Sequence, residues 1–180
     1  MKNIPYLLLT LVVLLLITAA CSSNKTVEIP PPPPPSPLQL AHAYADSGAT
    51  AFTAEDYLSA IKYFSQARDY YTQAAPTATP TDSIEVNIER IDLNIALSYV
   101  NQGNEDASLG LYDDALTTYE KAANIYKSLK PITIKPEERD DYLSKLYRNM
   151  AITAQNAKQY ERALQYYDMV LTYEPGNEEI

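Results

Sequence analysis

Residues 111–122, LYDDALTTYEKA, recur with substitutions as EDYLSAIKYFSQA at 55–67 and as QYERALQYYDMV at 159–170. Each copy has a tyrosine, an alanine three residues later, an aromatic residue four beyond the alanine, and a small or aliphatic residue three further on. These offsets of 3, 4 and 3 put all four positions on one face of an α-helix. The three segments therefore predict three helices of one kind.

A second set of positions recurs upstream of each copy. A small residue stands twelve residues before each alanine, and a tyrosine stands four residues before the small residue. The small residues are Gly48, Gly103 and Ala151, and the tyrosines are Tyr44, Tyr99 and Tyr147. Small residues let two antiparallel helices approach closely, while aromatic rings fill the space beside them. The pattern therefore predicts a pair of helices for each copy.

The combined pattern is an aromatic residue, a glycine or alanine, a tight turn, and then Tyr-x-x-Ala-x-x-x-aromatic-x-x-Ala. It resembles the tetratricopeptide repeat over about residues 41–75, 96–130 and 144–178, with Pro175 after the third copy. The resemblance implies an all-α fold, a tetratricopeptide-like solenoid of about three helical hairpins. In such a solenoid the first helices of the hairpins line a concave groove.

The copies are more widely spaced than tandem repeats of about 34 residues. Ala60 and Ala115 are 55 residues apart, and Ala115 and Ala163 are 48 apart. The surplus falls at 76–95 and 129–143, where prolines end a helix and where DSIE at 82–85 is typical of a capping box. We therefore expect lengthened first helices in repeats two and three. The six predicted helices span about 38–52, 54–75, 82–108, 111–130, 136–157 and 159–174.

The N-terminal residues differ in composition from the repeats. Lys2 is followed by an aliphatic run, residues 7–17, and then by the small residues that precede Cys21. This order is typical of a secretory signal peptide, and ITAAC at 17–21 resembles the lipobox of bacterial lipoproteins. The resemblance implies a signal peptide at 1–20, cleavage before Cys21, and fatty acyl chains, palmitate among them, on Cys21. The alternative is an uncleaved signal anchor with an inert cysteine.

Residues 21–37 are predicted to form a lipid-anchored, proline-rich tether, and residues 38–180 the helical domain. Six consecutive prolines, 30–35, lack amide donors and favour the stiff polyproline II helix. A ligand for a proline-binding domain is the alternative interpretation of this segment. Because no aspartate follows Cys21, we expect a lipid-anchored protein of the bacterial cell envelope, on the outer membrane facing the periplasm if the cell has one.

The composition excludes several classes of function. Without Lys2, 13 of the 14 basic residues remain against 23 acidic ones, which gives the mature chain a net charge of −10. Such a chain has no basic surface for nucleic acid. One cysteine and one histidine, His42, exclude Cys-based zinc sites and multi-histidine metal sites. We predict no enzyme activity, no metal and no cofactor.

The resemblance also implies where a partner would bind. The groove candidates are Val100, Asn101, Asn104, Lys145, Arg148 and Gln155. Amides in repeat two and cations in repeat three suit an extended, partly acidic protein segment, whereas simple solvation of a helix face is the alternative. We predict a membrane-tethered adaptor that binds a protein or peptide in cell-envelope assembly. A purely structural subunit of an envelope complex, and a small-ligand carrier or enzyme that uses the groove, are the alternatives.

The last predicted helix has two apolar stripes about 120° apart on a helical wheel. The first stripe, which we expect to pack on the helix at 136–157, consists of Tyr160, Leu164, Tyr167 and Leu171. The second consists of Tyr166, Met169, Val170 and Tyr173, and a further repeat would cover it. Because the sequence ends soon afterwards, we predict that Tyr166, Met169 and Tyr173 form a partner face for another protein or a second copy of this chain.

Overall fold

A computed structural model describes residues 32–174, which contain six α-helices and two short 3₁₀ helices. The α-helices are α1 Pro37–Thr53, α2 Tyr57–Ala74, α3 Ile84–Ser108, α4 Tyr112–Ser128, α5 Pro136–Asn156 and α6 Tyr160–Tyr173. These residues contain no β-strand. The all-α prediction is confirmed for this part of the chain, and each helix begins and ends within three residues of its predicted bounds. The signal peptide, Cys21 and most of the tether lie outside the described residues.

Helix α1 begins one residue before the predicted domain boundary. Ser36 is its N-cap: the Ser36 Oγ accepts a hydrogen bond from the Gln39 N–H at 3.3 Å, and the Gln39 Oε1 accepts one from the Ser36 N–H at 2.8 Å. This reciprocal pair is a capping box, and Pro37 has the backbone angle that a first helical turn requires. Residues 36 and 37, assigned to the tether from the sequence, therefore belong to the helical domain.

The capping box predicted at 82–85 is wrong. Asp82 closes a 3₁₀ turn, Pro80–Asp82, in which its carboxylate accepts the Thr79 N–H at 2.5 Å. Ser83 then adopts left-handed backbone angles, with φ of 49°, and its side chain caps nothing. The reason is that Pro80 fixes a turn that begins at Thr79, and this turn takes the Asp82 carboxylate. Helix α3 consequently begins at Ile84.

Helices that follow each other in the sequence pack against each other from α1 to α6. Helices α1 and α2 are antiparallel: Phe52 contacts Tyr57 beside the connecting turn, with ring centroids 5.6 Å apart, and His42 contacts Tyr71 at the far end, also at 5.6 Å. Helix α3 packs on both α2 and α4, so it has two buried faces. None of the described helices is long and apolar enough to cross a membrane.

Two glycines bring paired helices together at positions that the sequence pattern marks. A Cβ atom on Gly48 would lie 2.5 Å from the Phe64 ring, and one on Gly103 would lie 2.6 Å from the Tyr119 ring. Both rings are buried. Only a glycine allows such an approach, because ordinary carbon–carbon contacts are about 3.5–4.0 Å. Gly48 and Gly103 are therefore contact positions between helices.

Helix α6 packs on the domain with the second of its two apolar stripes, and not with the first as predicted. Of the four residues that we expected to pack on α5, three have exposed fractions of 57% (Tyr160), 66% (Leu164) and 42% (Leu171), and Tyr167 is half-buried. Ala163 and Val170 are buried instead. The physical reason is that these two smaller residues, seven positions apart, let α6 approach the core closely. The prediction that the stripe containing Leu164 packs on α5 is wrong.

The aromatic residues beside Val170 fill the space between α6 and α5. Tyr166 and Tyr173 both stack on Tyr147 of α5, with ring centroids 6.3 and 5.9 Å apart. Met169 also packs against the core cluster of α3 to α6. The stripe that we expected to be uncovered is therefore the stripe that holds α6 to the domain.

Candidate functional site

Asn104 is an exposed residue on α3 whose amide is fixed by two hydrogen bonds. Its Oδ1 accepts from the Tyr119 hydroxyl at 2.7 Å and from the Nδ2 of Asn149 at 3.1 Å. These bonds join α3 to α4 and to α5. Within residues 32–174, no acceptor contacts the Nδ2 of Asn104. Its N–H groups are therefore held in position and remain able to donate to a ligand.

Two open clefts meet at Asn104. One, of about 290 Å³, lies between the C-terminal halves of α3 and α5, and its lining includes Asn149, Ile152 and Asn156. The other, of about 320 Å³, extends towards the turn between α1 and α2 and is lined by Glu55, Tyr57, Asn101, Asn104 and Glu105. Side-chain amides and tyrosines thus follow the surface from the first hairpin to α5. We call this surface the amide groove.

The structure places only part of the predicted groove set in the amide groove. Asn101 and Asn104 line it, whereas Val100 is half-buried and packs against the core. The Asn101 Nδ2 donates to the Leu97 carbonyl oxygen at 3.0 Å. Gln155 is exposed on α5. Asn149, which the sequence reasoning did not propose as a binding residue, lies beside Asn104.

The two cationic candidates are already paired with carboxylates. The Lys145 Nζ lies 2.7 Å from Asp141 Oδ2, and the hydrogen bond to Asp141 raises the pKa of Lys145. The Arg148 Nη2 lies 3.0 Å from Glu174 Oε2, and the Ser144 hydroxyl donates to the other oxygen of Glu174 at 2.6 Å. Neither cation lines the clefts beside Asn104. Glu174 thus ties the end of α6 to α5.

The partner-face candidates Tyr166, Met169 and Tyr173 do not form an uncovered stripe, because all three pack against the core cluster. The Tyr166 hydroxyl donates to the Glu120 carboxylate on α4 at 3.2 Å and accepts from Arg162 at 3.1 Å. Burial raises the pKa of Tyr166. These residues hold the last hairpin in place, so the prediction that they form an uncovered face is wrong.

A separate pocket of about 310 Å³ lies where the end of α2, the start of α3 and the end of α4 meet. Its apolar lining consists of Ala75, Ile84, Ile88, Leu129 and Ile132. Its polar and charged lining consists of Glu85, Glu89, Asp92, Ser128 and Lys130. We call it the α4-end pocket. The lining combines an apolar wall with three carboxylates and one cation.

Glu89 is the most unusual residue of the α4-end pocket. Its exposed fraction is 5%, and neither carboxylate oxygen has a hydrogen-bond partner within the described residues. The sequence reasoning missed this residue, although a signal exists. Glu89 precedes Leu93, Ala96 and Val100 by four, seven and eleven positions, so it lies on an apolar helical stripe. That stripe is the second buried face of α3.

Asp92 lies one turn from Glu89 and has a partner. The Arg68 Nε of α2 is 2.6 Å from Asp92 Oδ1. Burial nevertheless raises the pKa of Asp92, although the charge and the hydrogen bond of Arg68 act in the opposite direction. The pair is partly exposed, so it contributes little net stability. Lys130 is the one cation among the residues that line the pocket, and it has no carboxylate partner within the described residues.

No cluster of three or more histidine, cysteine, aspartate or glutamate side chains that could hold a metal ion occurs among residues 32–174. His42 is exposed and contacts the edge of Tyr71. No known protein family, curated protein or solved structure matches this chain.

Proposed function

We propose that this protein is a membrane-tethered interaction module that binds an extended segment of a partner protein in the amide groove. We further propose that α1–α2, α3–α4 and α5–α6 are three tetratricopeptide-like hairpins. The close contacts of Gly48 with Phe64 and of Gly103 with Tyr119 support this arrangement, because they recur at equivalent positions of two pairs. Lipidation of Cys21 would hold the domain at the bacterial cell envelope.

The observation that carries the proposal is the fixed amide of Asn104. An extended peptide presents backbone C=O and N–H groups that must find partners, and a carboxamide can pair with both. Because Tyr119 and Asn149 hold the Asn104 oxygen, its N–H groups are presented at a defined angle to a peptide carbonyl. Pre-positioning of this kind lowers the entropic cost of binding.

The shape of the amide groove favours a polypeptide over an enclosed small molecule. Its two clefts are open and share Asn104 as a lining residue, whereas small-molecule sites bury most of their ligand. Lys145 and Arg148 are already paired with Asp141 and Glu174. Recognition of the peptide backbone therefore fits the groove better than recognition of acidic side chains.

The proposal is tested with Asn104→Arg, which fills the junction of the clefts with a long charged side chain. The matched control is Asn124→Arg, the same change at an exposed position of α4. Both full-length variants are expressed in the native host and crosslinked on membranes, and co-purifying proteins are compared with those of the parent. We expect Asn104→Arg to lose at least one partner that Asn124→Arg retains, with unchanged helicity for both. An identical partner set for all three proteins contradicts the proposal.

A further inference from the structure

The α4-end pocket has more negative than positive charge. Glu85, Glu89 and Asp92 line it with one cation, Lys130, and the nearby Arg68 is already paired with Asp92. The pocket also lies against the last residue of α4, Ser128. The C-terminal end of a helix carries partial negative charge and favours cations. The N-terminal turn of α3, which also lines the pocket, has the opposite effect, so it is the excess of carboxylates over cations in the lining that favours a positively charged group.

The Glu89 side chain also favours a positively charged partner. A carboxylate removed from water without hydrogen bonds is destabilising, and buried carboxylates are normally paired. Glu89 is 95% buried by residue surface, the complement of its 5% exposure, and has no partner within residues 32–174. Both Glu89 oxygens are shielded from solvent, so a ligand whose cationic N–H donor reaches them, with a rotation of the Glu89 side chain towards the pocket, would supply the missing partner.

The rest of the lining specifies the other part of the ligand. Ile88, Leu129 and Ile132 give the pocket an apolar wall that suits a short hydrocarbon chain rather than a hydrated metal ion. The volume of about 310 Å³ is within the range of small-molecule sites. Lysine-like groups combine both parts, because a charged end is joined to a methylene stem.

We propose that the α4-end pocket binds a primary ammonium or guanidinium group on an apolar chain, with Glu89 as the counter-charge. The group is either part of a small organic molecule or a lysine or arginine side chain of a partner. None of the residues that line the two clefts of the amide groove lines this pocket. This inference therefore does not depend on the proposed function of the amide groove, and either one can be wrong without the other.

The test measures binding of n-pentylammonium to the full-length protein by titration calorimetry in detergent, with the signal of empty micelles subtracted. Pentanol and pentanoate, the neutral and anionic compounds with the same chain length, are titrated in parallel. We expect n-pentylammonium to bind at least tenfold more tightly than pentanol, and pentanoate to show no binding. If the unmodified protein binds n-pentylammonium and pentanol with equal affinity, the proposal is overturned.

Glu89→Gln keeps the size of the side chain and removes its charge. We expect it to weaken n-pentylammonium binding at least tenfold, whereas the exposed Glu161→Gln control leaves binding unchanged. Lys130→Met, which removes the competing cation, should bind as tightly as the parent or more tightly. Unchanged affinity in Glu89→Gln, or loss of binding in Lys130→Met, contradicts the assignment.

A second titration distinguishes the two sources of the cation. The peptide acetyl-Ala-Ala-Lys-Ala-Ala-amide presents the same ammonium and stem on a polypeptide. Tighter binding of the peptide than of n-pentylammonium, again lost in Glu89→Gln, assigns the pocket to a side chain of a partner. Tighter binding of n-pentylammonium assigns it to a small molecule. Absence of binding by both compounds overturns the proposal.

Discussion

Replacement of Gly103 by alanine measures how closely α3 and α4 approach each other. The new Cβ would lie 2.6 Å from the Cδ1 and Cε1 atoms of Tyr119 and 3.1 Å from its Cζ. Carbon atoms in contact normally lie about 3.5–4.0 Å apart, so the ring or the helix must move by about 1 Å. Tyr119 cannot move easily, because it is buried and its hydroxyl is bonded to Asn104.

Two opposing effects determine the result. In an unobstructed helix, alanine is more favourable than glycine by about 0.8–1 kcal/mol. Overpacking of a well-packed contact typically costs about 1–3 kcal/mol. We expect the overpacking to dominate, with a net loss of up to about 2 kcal/mol in the free energy of unfolding. For a domain of this size the upper value corresponds to a decrease in Tm of roughly 4–8 °C.

The measurement is urea and thermal unfolding of the parent and Gly103→Ala, followed by far-ultraviolet circular dichroism. A double-mutant cycle with Tyr119→Ala isolates the contact. Once the ring is removed, Gly103→Ala should stabilise the protein by about 0.5–1 kcal/mol, so the sign of its effect reverses. If Gly103→Ala raises the stability of the parent, the close approach of α3 and α4 is refuted. The same cycle at Gly48 and Phe64 provides an independent repeat of the test.

Two further predictions concern the buried Tyr126 and the lipid anchor at Cys21. Burial raises the pKa of Tyr126 above its usual value of 10.0, so the folded state keeps a proton that the unfolded chain loses at high pH. The contribution of Tyr126 to stability is therefore complete below pH 10 and decreases above it. Above pH 10 the free energy of unfolding should fall with pH more steeply for the parent than for Tyr126→Phe, by about 1.4 kcal/mol per pH unit. Parallel slopes for parent and variant would show that Tyr126 does not titrate in this way. For the anchor, metabolic labelling with a fatty acid should label the parent and not Cys21→Ser, and label retained by the variant would exclude Cys21 as the acylated residue.

The number, order and bounds of the helices could be predicted from the sequence because they depend on local chemistry. The spacing of small and aromatic residues around Gly48 and Gly103 marked the helix contacts, which the structure places against Phe64 and Tyr119. The N-cap of α3 was predicted wrongly. The pattern at 82–85 contains the residues of a capping box, but Pro80 and Thr79 form a competing turn that takes the Asp82 carboxylate.

Most of the candidate binding chemistry could not be predicted, because it depends on which helices are neighbours. Asn101 and Asn104 were identified from the resemblance, but the partners that fix the Asn104 amide come from α4 and α5. The cationic character expected of Lys145 and Arg148 is offset by Asp141, on the same helix, and by Glu174, at the end of α6. Glu89 is buried because α3 packs between α2 and α4 and therefore has a second apolar face.

The last helix shows most clearly what the sequence determined and what only the tertiary structure decided. Helical periodicity alone establishes that α6 has two apolar stripes, because side chains recur every 3.6 residues. It does not determine which stripe faces α5. That depends on how closely the two helices approach, and the approach depends on the small size of Ala163 and on Tyr147, the ring on which Tyr166 and Tyr173 stack. The rotation of a helix about its axis is a property of the packed pair, and it decides which side chains remain on the surface.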